Sequence, residues 1–224
     1  MKPWERIGNS EQINLAYKKT DDVFRLPANK IQRAWDLVAI FDKELFLRTG
    51  KLKEIWAVSK VEAHEQWVFH GAGHLWIYNS KWEILLQKRM DNGLWDISVS
   101  WHIETSEDMR VGTLRELHEE TPIQDIHNKD ALEHIFDFIE DIENIKEWKI
   151  YRNNEINSVF ALRYDKKVPN IQNDEVKELK FVPLEEFKKT IDDPELSKAH
   201  LLQTSTGYYE KLFGYIEKAI HTKK

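Results

Sequence analysis

The sequence predicts an α/β or α+β protein, and three observations predict it. Short apolar runs rich in β-branched and aromatic residues recur from Leu37 onward. A helical period replaces them over residues 107–121. Strand and helix signals then interleave to the C-terminal end, without an internal repeat or a low-complexity stretch.

The elements follow in chain order. Residues 1–34 are polar and weakly periodic, so they are expected to form an N-terminal extension packed on the core, with a short helix around Pro27–Asp36. The domain proper is expected over 35–224. Strands are predicted at Leu37–Phe41, Ile55–Val58 and His74–Tyr78. Asn79-Ser80-Lys81 then reads as a hairpin turn into a strand at Ile84–Gln87. The turn Asp91-Asn92-Gly93 precedes a strand at Trp95–Ser100, which enters a loop at Trp101–Ser106. Residues 107–121 form a helix with Leu114 and Leu117 inward, ended by Pro122, whose ring and missing N–H stop a helix. Residues 129–147 place Leu132, Ile135, Phe136, Ile139 and Ile142 at helical spacing and are read as a helix, although Phe136–Ile139 could equally belong to a strand. Further strands are expected at Lys149–Arg152, Ser158–Tyr164 and Glu178–Val182. Helices are expected at Leu184–Ile191 and over Pro194–Ile220, interrupted near Gly207.

Composition narrows the function. The chain has 224 residues, 41% hydrophobic and 32% charged, enough apolar side chain for a core. Its net charge of −6 supplies no global positive field, which disfavours nucleic acid and anionic membranes as partners. There is no cysteine, which removes disulfides, thiolate metal sites and cysteine nucleophiles. No apolar run approaches the ~18 residues of a membrane span, and no signal-peptide core follows Met1–Arg6. A cytoplasmic protein is the expectation.

The chemistry concentrates in Glu104–Glu120. On a helix Glu116 and Glu120 stand one turn apart with Glu119 beside them, so three carboxylates converge. Like charges at this spacing repel by a few tenths of a kcal/mol per pair. A hard divalent ion such as Mg²⁺ (or Mn²⁺) is the natural compensation. Arg115 can reach back to Glu107 and forward to Glu119, orienting the ligands. A solvated acidic face is the bland alternative for any Glu-rich helix.

The spacing Glu107-x7-Arg115-Glu116-Leu117-x-Glu119-Glu120 resembles the acidic core of the Nudix box, Gly-x5-Glu-x7-Arg-Glu-U-x-Glu-Glu-x-Gly-U, with U a bulky aliphatic. Ile123 fills the last position. The chain departs from the pattern at its two glycines, where it has Trp101 and Pro122. The resemblance extends over about residues 54–187. His64-x5-His70-x3-His74, Leu85–Arg89, Leu94–Val99, His102–Glu104, Asn153–Phe160 and Asp174–Glu186 resemble the Nudix branch that includes isopentenyl diphosphate isomerase and its hydrolase relatives.

That resemblance implies an α/β/α sandwich with a mixed central sheet. It places His64, His70, His102 and Glu155 at four metal-binding positions of the isomerase, with Asn153 where a further ligand glutamate is expected. The isomerase's proton-transfer cysteine falls on Ser100, a poor replacement because a hydroxyl's pKa lies several units above a thiol's. Each histidine taken singly is more economically structural, bonding backbone groups near strand starts, with His102 the best candidate for a site role. Trp101 either stacks on a substrate ring or caps the pocket. Lys88 and Arg89 either bind phosphate oxygens or form an exposed basic strand end.

The implied reaction is Mg²⁺-dependent hydrolysis of a small-molecule diphosphate. Glu116, Glu119 and Glu120 would hold the ion, Glu116 would serve as base, and Glu155 or Glu175 stand in reserve. An isomerase acting on isopentenyl diphosphate is opposed by Ser100 and Asn153, and a non-catalytic nucleotide-binding protein is the third reading. A homodimer is expected by analogy alone.

Overall fold

The computed structural model describes residues 37–146, 149–197 and 207–222. Through these the chain runs β1 (Leu37–Phe41), α1 (Lys43–Thr49), β2 (Glu54–Ser59), α2 (Lys60–Glu65), β3 (His70–Tyr78), β4 (Glu83–Arg89), β5 (Trp95–Asp96) and β6 (Val99–His102). It continues through α3 (Met109–Glu120), β7 (Glu133–Lys146), β8 (Lys149–Arg163), β9 (Val176–Pro183), α4 (Leu184–Asp192), α5 (Pro194–Ser197) and α6 (Tyr208–Thr222). The expected extension 1–34, its helix at Pro27–Asp36 and part of the expected C-terminal helix lie outside the described residues.

One mixed sheet organises the fold, with β3 at its centre. β3 pairs antiparallel with β1, β4 and β6 and parallel with β8, whose Glu155–Arg163 runs beside His70–Tyr78. The apolar texture of β3 follows from burial on both faces. Leu75 and Ile77 join a core with Leu117 of α3, while Trp76 and Tyr78 join a second core with Phe187 of α4 and Tyr208 and Leu212 of α6. Helices therefore cover both faces, giving the expected α/β/α layering.

Three expectations need correction. The stretch read as a helix over 129–147 is a 3₁₀ turn at Lys129–Ala131 followed by strand β7. Phe136 and Phe138 both lie edge-on to Tyr208, at 5.4 and 5.5 Å between centroids, which is the period of two that a strand imposes. The pairing of β7 with β8 over nearly its whole length overrides the helical spacing of the isoleucines. Trp95–Ser100 divides into β5 on β4 and β6 on β3, and Lys149–Arg152 and Ser158–Tyr164 are ends of the single strand β8. Helices α1 and α2, absent from the sequence reading, are capped by Asp42 and Ser59, whose side chains accept from Leu45 N and Glu62 N.

Candidate metal centres

Helix α3 begins where Asp108 accepts from the amides of Arg110 and Val111, and ends at Thr121 before Pro122. Within it Arg115 organises the carboxylates. Its Nε and Nη2 meet Glu107 at 3.0 and 3.2 Å, and Nη1 bridges Glu116 at 2.6 Å and Glu119 at 3.1 Å. The arginine thus reaches both ways along the helix, as its spacing indicated. Glu107 lies so close under the helix that a Cβ on Gly112 would sit 2.6 Å from its Oε2.

The three box glutamates differ in environment. Glu119 is exposed, Glu116 half-buried, and Glu120 only 5% exposed. Burial pushes the Glu116 carboxyl up to about 7, against the pull of Arg115, with the charges of Glu119 and Glu175 adding to the rise. Burial raises Glu120 well above the usual carboxylate range too, assisted by Glu116 and Glu175 and opposed by Arg89. The Oε2 of Glu120 finds no hydrogen-bond partner among the described residues. An oxygen-only cluster with buried negative charge and an orphaned carboxylate oxygen fits a hard divalent ion.

The basic pair at the end of β4 divides. Arg89 bonds Asp91 at 3.1 and 3.2 Å and stands 3.6 Å from Asp96, on the rim of the Glu120 cluster. Lys88, next along the strand, lies over the Trp95 ring at 5.4 Å. Trp101 is not a pocket wall. It is 5% exposed, belongs to the α3-side core, and covers the space a side chain at Gly73 would take, because adjacent residues on a strand face opposite ways and His102 takes the other side.

On that other side the structure gathers His64, His70, His102 and Glu155, with potential ligand atoms all within 4.8 Å of one another. α2 supplies His64, β3 His70, β6 His102 and β8 Glu155. His64 and His70 each turn Nδ1 toward a backbone carbonyl, of Arg152 and Val68, both at 2.9 Å. Carbonyls only accept, so both rings carry Nδ1–H and leave Nε2 to face the cluster. The Nε2 of His70 then faces Glu155 Oε1 at 3.1 Å, and that of His102 faces the same oxygen at 3.3 Å. His102 Nε2 makes no hydrogen bond among the described residues. Ring nitrogens converging on one carboxylate oxygen need a proton or a cation between them. Burial holds His102 down at about 4, so it is neutral at neutral pH. Burial pushes the Glu155 carboxyl up, but the neighbouring His102 and His70 outweigh this and keep it ionised. Imidazoles around an ionised carboxylate fit a divalent transition ion, and backbone-anchored Nδ1 atoms are the usual support for such ligands.

Two residues of this face went unremarked in the sequence. Glu140 of β7 stands directly opposite Glu155 in register, and burial with the charge of Glu155 raises it to about 7. Asn157, two residues beyond Glu155, is fully buried between Ala72 of β3 and Phe138 of β7. Neither of its amide atoms finds a partner among the described residues. Such a group costs about 1–3 kcal/mol. Asn157→Leu, with the same branching, is therefore expected to raise the melting temperature by several degrees in a thermal unfolding scan. A lower melting temperature would show that the amide has a partner.

The NUDIX domain profile matches residues 69–202. The chain belongs to the Nudix family. No curated protein matches it. Among solved structures, a MutT/nudix family protein from Enterococcus faecalis is 16% identical, with 50% of this chain and 42% of that chain covered and a TM-score of 0.39. The NUDIX domain of Shewanella oneidensis NrtR, solved with ADP ribose, is 16% identical over 53% of this chain and 75% of that one, with a TM-score of 0.41. C. elegans Ap4A hydrolase is 20% identical over 65% and 97%, with a TM-score of 0.39. The Nudix chain spans less than half the length of the first of these.

Proposed function

We propose that this Nudix chain is a divalent-metal-dependent pyrophosphohydrolase acting on a small-molecule diphosphate. The observation that carries the reading is the pairing of half-buried Glu116 with buried Glu120, braced by the Arg115 clamp on Glu107 at box spacing. Glu116, Glu119 and Glu120 would hold Mg²⁺ or Mn²⁺. Bound there, the ion supplies neutralisation of diphosphate charge and of the charge that develops in the displacement.

The chain's own residues do the rest. Arg115 fixes the rotamers of Glu116 and Glu119 before substrate arrives, so the ligands need no reorganisation. Glu116, poised near 7, can take a proton from the attacking water at neutral pH, with Glu175 as the alternative, since Glu155 sits in the histidine cluster on the other face of the sheet. Arg89 stands at the rim for phosphate oxygens. A second reading, an isomerase-type enzyme on isopentenyl diphosphate, is favoured by the assembled histidine cluster and opposed by Ser100, which offers no thiol.

The test is product release from nucleoside, sugar, dinucleotide, coenzyme and prenyl diphosphates with Mg²⁺ or Mn²⁺, with isopentenyl diphosphate isomerisation followed alongside. Metal-dependent hydrolysis is expected; isomerisation without hydrolysis would overturn the assignment. Mg²⁺ binding should tighten by about tenfold between pH 6 and pH 8, since a Glu116 that titrates near 7 must lose its proton to ligate. Calorimetric titration at the two pH values checks this, and Glu116→Gln should flatten the dependence.

A further inference from the structure

The histidine cluster holds one ionised carboxylate, yet a second lies against it. Glu140 and Glu155 are directly opposed across β7 and β8, so their side chains share a face. Opposed like charges on half-buried or buried strands are destabilising. Here one amide joins them: Asn153 Nδ2 donates to Glu140 Oε2 at 2.5 Å and to Glu155 Oε2 at 2.8 Å. This sorts the oxygens of Glu155. Oε2 is tied to Asn153, and Oε1 is left turned toward Nε2 of His70 and His102. Asn153 is itself 5% exposed, and its Oδ1 accepts nothing among the described residues. Without Glu140 this amide would be anchored at one end only.

We propose that Glu140, outside every motif in the chain, is the second carboxylate of this centre. Through Asn153 it locks Glu155 with Oε1 inward. Glu140 is a positioning residue, and the group it serves is a divalent transition ion held by His64, His70, His102 and Glu155. The inference rests on that reading of the cluster as a metal centre.

The experiment is Co²⁺ titration of the chelator-stripped full chain, followed by the visible ligand-field bands and by calorimetry. The parent is expected to bind with a spectrum of mixed nitrogen and oxygen ligation, and His70→Ala should abolish it. Glu140→Gln and Asn153→Leu should each weaken binding by about 10- to 100-fold and shift the bands, with the double variant no worse than the weaker single. Lys43→Met serves as the control. Lys43 bonds Asp141 and Asn154, neighbours on the same two strands, so its loss perturbs the pair without touching the relay. Glu140→Asp should recover part of the affinity.

Parent-like Co²⁺ binding by Glu140→Gln, with His70→Ala still inactive in binding, would overturn the role of Glu140 and leave the centre standing. No Co²⁺ binding by the parent, or binding indifferent to His70→Ala, would remove the centre and the proposal with it. Equal weakening by Lys43→Met would reduce Glu140 to a part of the strand pairing and overturn the proposal.

Discussion

Glu120→Gln is expected to leave a folded chain that hydrolyses diphosphates about 100- to 1,000-fold more slowly, a loss of roughly 3–4 kcal/mol in transition-state stabilisation. The two halves of this result have different causes. Glu120 is buried, and burial raises its carboxyl well above the usual carboxylate range. Gln matches it in shape, so packing beside α3 survives. What Gln cannot do is give up a proton and present an anionic oxygen to a cation. Turnover at saturating Mg²⁺, measured beside a thermal melt, separates the two. Activity within a few-fold of the parent would show that the α3 carboxylates are not the reaction site.

The largest expected stability effect is at Gly73. A Cβ there would lie 2.0, 2.4 and 2.5 Å from Cζ2, Cη2 and Cε2 of Trp101. No heavy atoms approach so closely, and the indole has no room to retreat because it is packed in the core with Leu75, Val99 and Ile103. Gly73→Ala should therefore destabilise by at least the roughly 1–3 kcal/mol of an overpacked core, a large share of a typical stability of about 5–15 kcal/mol. Adding Trp101→Leu should recover part of the loss, since the double variant removes the clash. Urea denaturation of both checks the pair; equal stability of Gly73→Ala and parent would mean that the indole is mobile.

The same pair shows how much of the site was legible. The box spacing and its helix were readable because local periodicity and fixed charge intervals are properties of contiguous residues. Trp101 was not, because its neighbour Gly73 is brought opposite only by the pairing of β3 with β6. An aromatic where the family has glycine reads as a pocket residue; the structure places it in the core over a glycine of the adjacent strand. The histidines illustrate the same limit. Each alone is economically structural, and two of them do bond backbone carbonyls as a structural histidine would. Only β-pairing shows that these bonds turn the remaining nitrogens toward one point. Glu140 was lost twice over, first because its strand carries isoleucines at helical spacing, and then because its partners Asn153 and Glu155 sit across a register that no single segment encodes.

That parallel register between β3 and β8 makes the histidine centre a proofreader of folding. His70 and Glu155 are 85 residues apart, so their meeting waits on a non-local closure that local helices cannot hurry. A slip of β8 by one residue would replace Glu155 with Asn154 or Ile156 and turn its side chain to the opposite face. A chain trapped in that arrangement keeps most of its hydrogen bonds yet has no carboxylate for the imidazoles. Capture of an ion at this centre would thus arrive late during refolding, and would bias the population toward the one alignment that can hold it.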